Sequence, residues 1–76
     1  MINELDTVAL THDILEYGLM ESDLGAVVHV YKDGEAYEVE FVTAEGKTVA
    51  VLTLTNRDVR LMRPREILHA RELQAA

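Results

Sequence analysis

GAVVHVYKDGEAYEVEFVTAEGKTVAVLTL, residues 25 to 54, is the stretch whose reading decides the fold. Runs rich in Val, Tyr, Phe and Thr are separated by two acid-Gly pairs, Asp33-Gly34 and Glu45-Gly46. Acid-Gly pairs supply the positive φ of tight hairpin turns, and β-branched and aromatic runs fit a pleated, half-buried surface. The stretch therefore reads as three consecutive antiparallel strands over Ala26–Lys32, Ala36–Thr43 and Lys47–Thr55, with Gly25, Gly34 and Gly46 as turn glycines.

The middle strand has the cleanest period of two. Tyr37, Val39 and Phe41 alternate with Glu38 and Glu40, so a slip of one residue would bury two carboxylates. The preceding strand places Ala26, Val28 and Val30 on one face and Val27, His29 and Tyr31 on the other. The last strand is apolar on both faces, since Val49, Val51 and Thr53 alternate with Ala50, Leu52 and Leu54. One barrel interior covers only one of those faces, so a tail or a second subunit must cover the outside.

Outward from this block, Leu5–Thr11 reads as a first strand with Val8 and Leu10 on one side. Residues 12 to 24 form a long connection with at most one helical turn, capped by Thr11 or Asp13 and ended by Gly18. Its Ile14, Leu15, Leu19, Met20 and Leu24 are too many apolar groups for a solvated loop, so it is expected to fold back over one opening of a barrel. Asp58–Met62 reads as a short fifth strand, and Pro64 ends strand pairing. Arg65 to Ala76 are good helix formers, and a helix of this length needs docking to be stable. The expected architecture is mainly β: a small SH3-like five-stranded barrel over residues 1 to 63, with a C-terminal α-helix in a tail over 64 to 76.

Several segments carry a resemblance: Leu5-Asp6-Thr7-Val8-Ala9-Leu10, Tyr17-Gly18-Leu19, Gly25-Ala26-Val27-Val28 and Ala36-Tyr37-Glu38-Val39-Glu40-Phe41. They resemble a family of small bacterial proteins, frequent in cyanobacteria and known only as a domain of unknown function. The D-x-G-x-V-V element from Asp23 to Val28 is similar to the opening of KOW-type SH3-like barrels. The resemblance spans roughly Leu5 to Leu61 and implies a backbone shape without an activity; some relatives resemble components of toxin-antitoxin gene neighbourhoods.

With 76 residues and no cysteine, the chain has neither disulfides nor thiolate metal sites to supplement a small core. Its net charge of -7 argues against general nucleic-acid or anionic-membrane binding. No stretch approaches the length of a bilayer span and no leader pattern opens the chain, so a cytoplasmic location is expected. The charge is asymmetric. Residues 1 to 55 carry eleven acids against two lysines, whereas residues 56 to 76 carry five arginines against three acids. Arg57, Arg60, Arg63, Arg65 and Arg71 suit carboxylate pairing on an acidic barrel, its own or a neighbour's.

No arrangement in the chain spells out a catalytic or ligand site. His12, His29 and His69 lack metal-ligand spacing, and His12-Asp13 has no nucleophile to serve. Glu38 and Glu40 read as the wet half of an alternating strand, and Tyr17, Tyr31 and Tyr37 without a Trp do not make an SH3 peptide groove. Neither phosphate-binding nor nucleophile-elbow motifs occur. The expectation is a non-enzymatic interaction module without cofactor or metal, self-associating or binding another protein, of an antitoxin or immunity kind. Its candidate interface is Ala50, Leu52, Leu54, Arg60, Arg63, Ile67 and Leu68. The alternative expectation is a KOW-like RNA-binding barrel using the C-terminal arginines.

Overall fold

The computed structural model describes residues 1 to 74. Five strands form one antiparallel sheet: β1 (Thr7–Leu10), β2 (Leu24–Tyr31), β3 (Ala36–Val42), β4 (Thr48–Leu54) and β5 (Val59–Leu61). Their spatial order is β4-β3-β2-β1-β5. The five expected strands are all present, within two residues of where the alternation placed them. The sheet is not closed, because β4 and β5 are its two edges and do not pair with each other. The expected barrel is therefore corrected to an open sheet whose curl brings Leu54 of β4 and Val59 of β5 into the same core.

That core follows the period of the strands. Tyr37, Val39 and Phe41 of β3 are buried together with Val8 and Leu10 of β1 and Val27 of β2. Full burial of each such side chain contributes on the order of 2 kcal/mol. Glu38 and Glu40 lie on the opposite face, where the Thr53 hydroxyl donates to Glu38 Oε1 at 2.6 Å and the Thr48 hydroxyl to Glu40 Oε2 at 2.9 Å. The Tyr37 hydroxyl leaves the core by donating to Asn56 Oδ1 at 2.9 Å.

Two bulges revise the expected faces. In β2 the register shifts between Val27, opposite Val39, and His29, opposite Glu38. Val28 is the extra residue, so beyond the fully buried Val27 it is Val30 that packs against the core while His29 is exposed, where strict alternation would put His29 on the face of Val27. In β4 the shift falls between the Phe41-Ala50 and Val42-Thr48 pairs, leaving Val49 extra. Val49 and Ala50 both reach the core side as a result.

The glycines divide by role. Gly34 and Gly46 hold turns at φ +97° and +87°. The β2–β3 connection is longer than a two-residue turn, since Lys32 and Asp33 also take positive φ, at 41° and 57°. Gly25 is no turn residue: it lies inside β2, where a Cβ would stand 2.6 Å from Val39 Cγ1 and 2.9 Å from Phe41 Cε1. Its small size lets the sheet curl over its own core. In the first connection a single 3-10 turn, Leu15–Tyr17, ends at Gly18 in the left-handed conformation, with no side-chain cap from Thr11 or Asp13. Leu19 then inserts into the core, while Leu15 and Met20 stay exposed.

The expected C-terminal helix does not form among the described residues. Residues 63 to 74 run as an irregular strap, and Ala75 and Ala76 lie outside the described residues. The physical reason is competition: two arginine-carboxylate forks between strap and sheet hold the chain extended, against a helical tendency that is marginal at this length. No helix among the described residues is long and apolar enough to cross a membrane.

Candidate interaction surface at the sheet edges

The sheet ends in two edges, and main-chain parity decides what each presents. Val27 donates its N–H to Asp6 O and accepts from Leu5 N, so its peptide groups point toward β1. The neighbouring Ala26 and His29 therefore serve β3, through Glu40 and Glu38. Tyr37, Val39 and Phe41 in turn direct their peptide groups at Leu54, Leu52 and Ala50 of β4. What remains pointing away from the sheet is the N–H and C=O of Val51 and of Thr53. Neither residue's main chain has a further partner among the described residues.

This edge is also chemically bare. The seven residues of β4, Thr48-Val49-Ala50-Val51-Leu52-Thr53-Leu54, include no charged side chain, proline or glycine, the groups that ordinarily blunt an edge. Its outer side chains are Val51, 47 % exposed, and Thr53. Leu52 is half-buried on the inner face at the rim of the core. Of the candidate interface residues on β4, Leu52 thus keeps partial exposure and Ala50 and Leu54 do not. Ala50 and Leu54 are core residues, because they pair with Phe41 and Tyr37 and share their inward face.

The other edge is blunted. Thr11 N donates to Asp58 O at 2.8 Å and Met62 N to Thr7 O, which leaves Val59 and Leu61 to turn their peptide groups outward. Val59 N is taken by Thr55 O at 3.2 Å. The Leu61 carbonyl accepts from Arg60 Nη1 at 3.2 Å. Arg60 is itself fixed by Glu66, its Nη1 and Nη2 donating to Glu66 Oε1 and Oε2 at 2.9 and 2.7 Å. Arg63 N adds a third bond to Glu66 Oε1, and Glu66 N returns to Arg63 O, closing a turn that directs the chain off the β5 line.

These bonds set the electrostatics of the strap. The Arg60 fork, followed by the Arg63 N–H, lowers the Glu66 carboxyl to about 2, and Glu66 raises Arg60 in return. Farther along, Arg71 Nε donates to Asp23 Oδ1 at 2.8 Å, and its Nη2 to Asp23 Oδ2 and to Gly18 O. Burial alone would raise Asp23, but the Arg71 fork and the Met20 N–H hold it below the ordinary carboxylate range. Between the clamps Ile67 and Leu68 are 89 % and 69 % exposed. The strap covers Ala9, which faces away from the main core yet is only 1 % exposed.

The β4–β5 turn carries one more cluster. Asp58 Oδ2 accepts from Thr55 N at 2.9 Å, while His12 Nε2 meets Asp58 Oδ1 at 2.8 Å and His12 Nδ1 meets Asp13 O at 2.9 Å. Both imidazole nitrogens face oxygen acceptors, which favours the protonated ring. Asp58, then the Asp13 carbonyl, raises His12, and His12 lowers Asp58. Sequence reading missed His12-Asp58 and Asp23-Arg71, because each joins residues more than forty positions apart. The Arg71 link had one signal, the surplus of arginine at the acidic chain's C-terminal end.

Among the described residues no group of three or more His, Asp or Glu side chains is placed to hold a metal ion. Comparison with curated proteins finds no match, and none is found among solved structures. A family model does match, over residues 4 to 61, which takes in all five strands and stops where the strap begins. The chain belongs to the family described as domain of unknown function DUF4926.

Proposed function

We propose that this chain is a protein-interaction module that self-associates by pairing the β4 edge of one copy with the β4 edge of another. One observation carries the reading: Val51 and Thr53 present unpaired N–H and C=O groups on an uncharged seven-residue edge, while the shorter opposite edge has Val59 N and Leu61 O bonded within the chain. Antiparallel pairing about a two-fold axis needs only one self-complementary surface. The bulge at Val49 leaves Ala50–Leu54 as the regular part of the edge, with Leu52 at its centre. A two-fold axis at Leu52 sets Val51 opposite Thr53 of the second copy and Thr53 opposite its Val51. Both pairs exchange hydrogen bonds, about four in all. The two Leu52 side chains then meet at the axis and complete the cover of the core rim. No charge opposes a like charge across such a seam.

The RNA-binding alternative draws little from the arginines, because Arg60 and Arg71 are engaged by carboxylates of this chain. The absence of cysteine makes the self-association test clean. Leu52→Cys places one thiol per chain at the axis, where non-hydrogen-bonded antiparallel partners bring their Cα atoms to about 4.5 Å, within disulfide range. Mild oxidation should link Leu52→Cys chains into covalent dimers, and Ser22→Cys chains should stay unlinked. Equal cross-linking of both, or of neither, contradicts the reading.

A further inference from the structure

We propose that residues 63 to 74 are a strap that limits assembly, by holding Arg60 across the peptide edge of β5 so that only the β4 edge is open. The inference rests on the β4 reading and assigns the strap a role in it. Three observations converge on Arg60. Its Nη1 donates to the carbonyl of Leu61, one of the groups that β5 turns outward. The same guanidinium is gripped through both terminal nitrogens by Glu66, which belongs to the strap and lies beyond the family domain. The turn that Glu66 closes with Arg63, together with Pro64, keeps the chain from extending β5.

The strap is held by forks rather than by a buried apolar face. Ile67 and Leu68 point to solvent, and the second anchor is the Arg71-Asp23 pair at its far end. Such contacts can be broken without removing core residues. A chain with both edges open carries two different two-fold contacts, and alternating them generates an open-ended array instead of a closed dimer. With Arg60 in place, Leu61 O is already bonded and is not free to accept from a second strand.

The experiment uses the full chain carrying Glu66→Ala and Arg71→Ala, which breaks both anchors and leaves the net charge unchanged. Tryptic cleavage after Arg65 reports strap release, and sedimentation reports size. Faster cleavage together with a weight-average mass at least about double that of the unmodified chain, and rising with concentration, is expected. Arg60→Gln, which uncovers Leu61 O while Arg71 still anchors the strap, should show the same growth. Unchanged cleavage, unchanged mass, or growth in the double variant without growth in Arg60→Gln each overturns the proposal. If the unmodified chain sediments as a monomer, the β4 reading fails on its own, and the strap is still judged by whether the variants exceed it in size.

Discussion

β4 and β5 are the two edges of one sheet, and they are finished in opposite ways. β5 has three residues, contains an arginine, and has two of its outward peptide groups bonded within the chain. β4 has seven residues without a charge and leaves the main chain of Val51 and Thr53 unbonded. An open, uncharged edge invites aggregation, and proteins ordinarily spend side chains on closing it. This chain bonds part of one edge within itself and leaves the other bare, and the proposed pairing rests on that asymmetry. The fold's stability and its assembly are thereby separated by a single residue of register: Leu52 serves β3, and Val51 serves the outside.

The largest effect should come from testing that parity with proline. Leu52→Pro removes an N–H used in the β3 ladder and should destabilise by roughly 3 kcal/mol, whereas Val51→Pro removes one that points outward and should cost far less while abolishing self-association. Denaturant unfolding compares the two; equal losses would mean that the parity is misassigned. Gly25→Val should come next, with a loss of more than about 2 kcal/mol from overpacking against Val39 and Phe41, near the pivot of the curl that sets the two edges apart. Its melting temperature checks this, and a near-neutral result would mean that β2 can shift. Smaller again, Tyr37→Phe should cost about 1 kcal/mol by removing the hydroxyl bond to Asn56 that ties β3 to the β4–β5 connection.

The smallest effect is in pH and bears on the turn joining the two edges. Asp58 raises His12, so the stabilisation from this pair is fully present below the unfolded value of about 6.5 and is lost as pH rises through the higher folded value. Asp58 is lowered, so its share is present above about 3.9 and is lost as pH falls through the lower folded value. The melting temperature should therefore decline above about pH 6.5, and His12→Ala should flatten that decline. A parallel decline in both proteins would remove the pair from the account.

Much of the fold was legible because local pattern and tertiary role agree. The alternation of Tyr37, Val39 and Phe41 with Glu38 and Glu40 is a period that only a half-buried strand satisfies, and Gly34 and Gly46 mark turns by their conformational freedom. The site was half legible. An apolar β4 in need of cover could be read directly, but its outward face could not, because the bulge at Val49 is a tertiary adjustment without a residue signature. Gly25 reads as turn punctuation, and only its 2.6 Å approach to Val39 reveals a packing role. The tail misled for a related reason. Helix propensity sums weak local preferences, and two forks to Arg60 and Asp23 outweigh them from outside the segment.

Sedimentation velocity of the unmodified chain beside Val51→Lys tests the central claim most directly. The substitution puts a charge at the outward centre of β4, on a side chain already 47 % exposed, so folding should change by no more than about 0.5 kcal/mol. The account predicts a concentration-dependent dimer for the unmodified chain and, for Val51→Lys, a folded monomer whose melting temperature does not depend on concentration. A strict monomer in the first case, or a persisting dimer in the second, would contradict it.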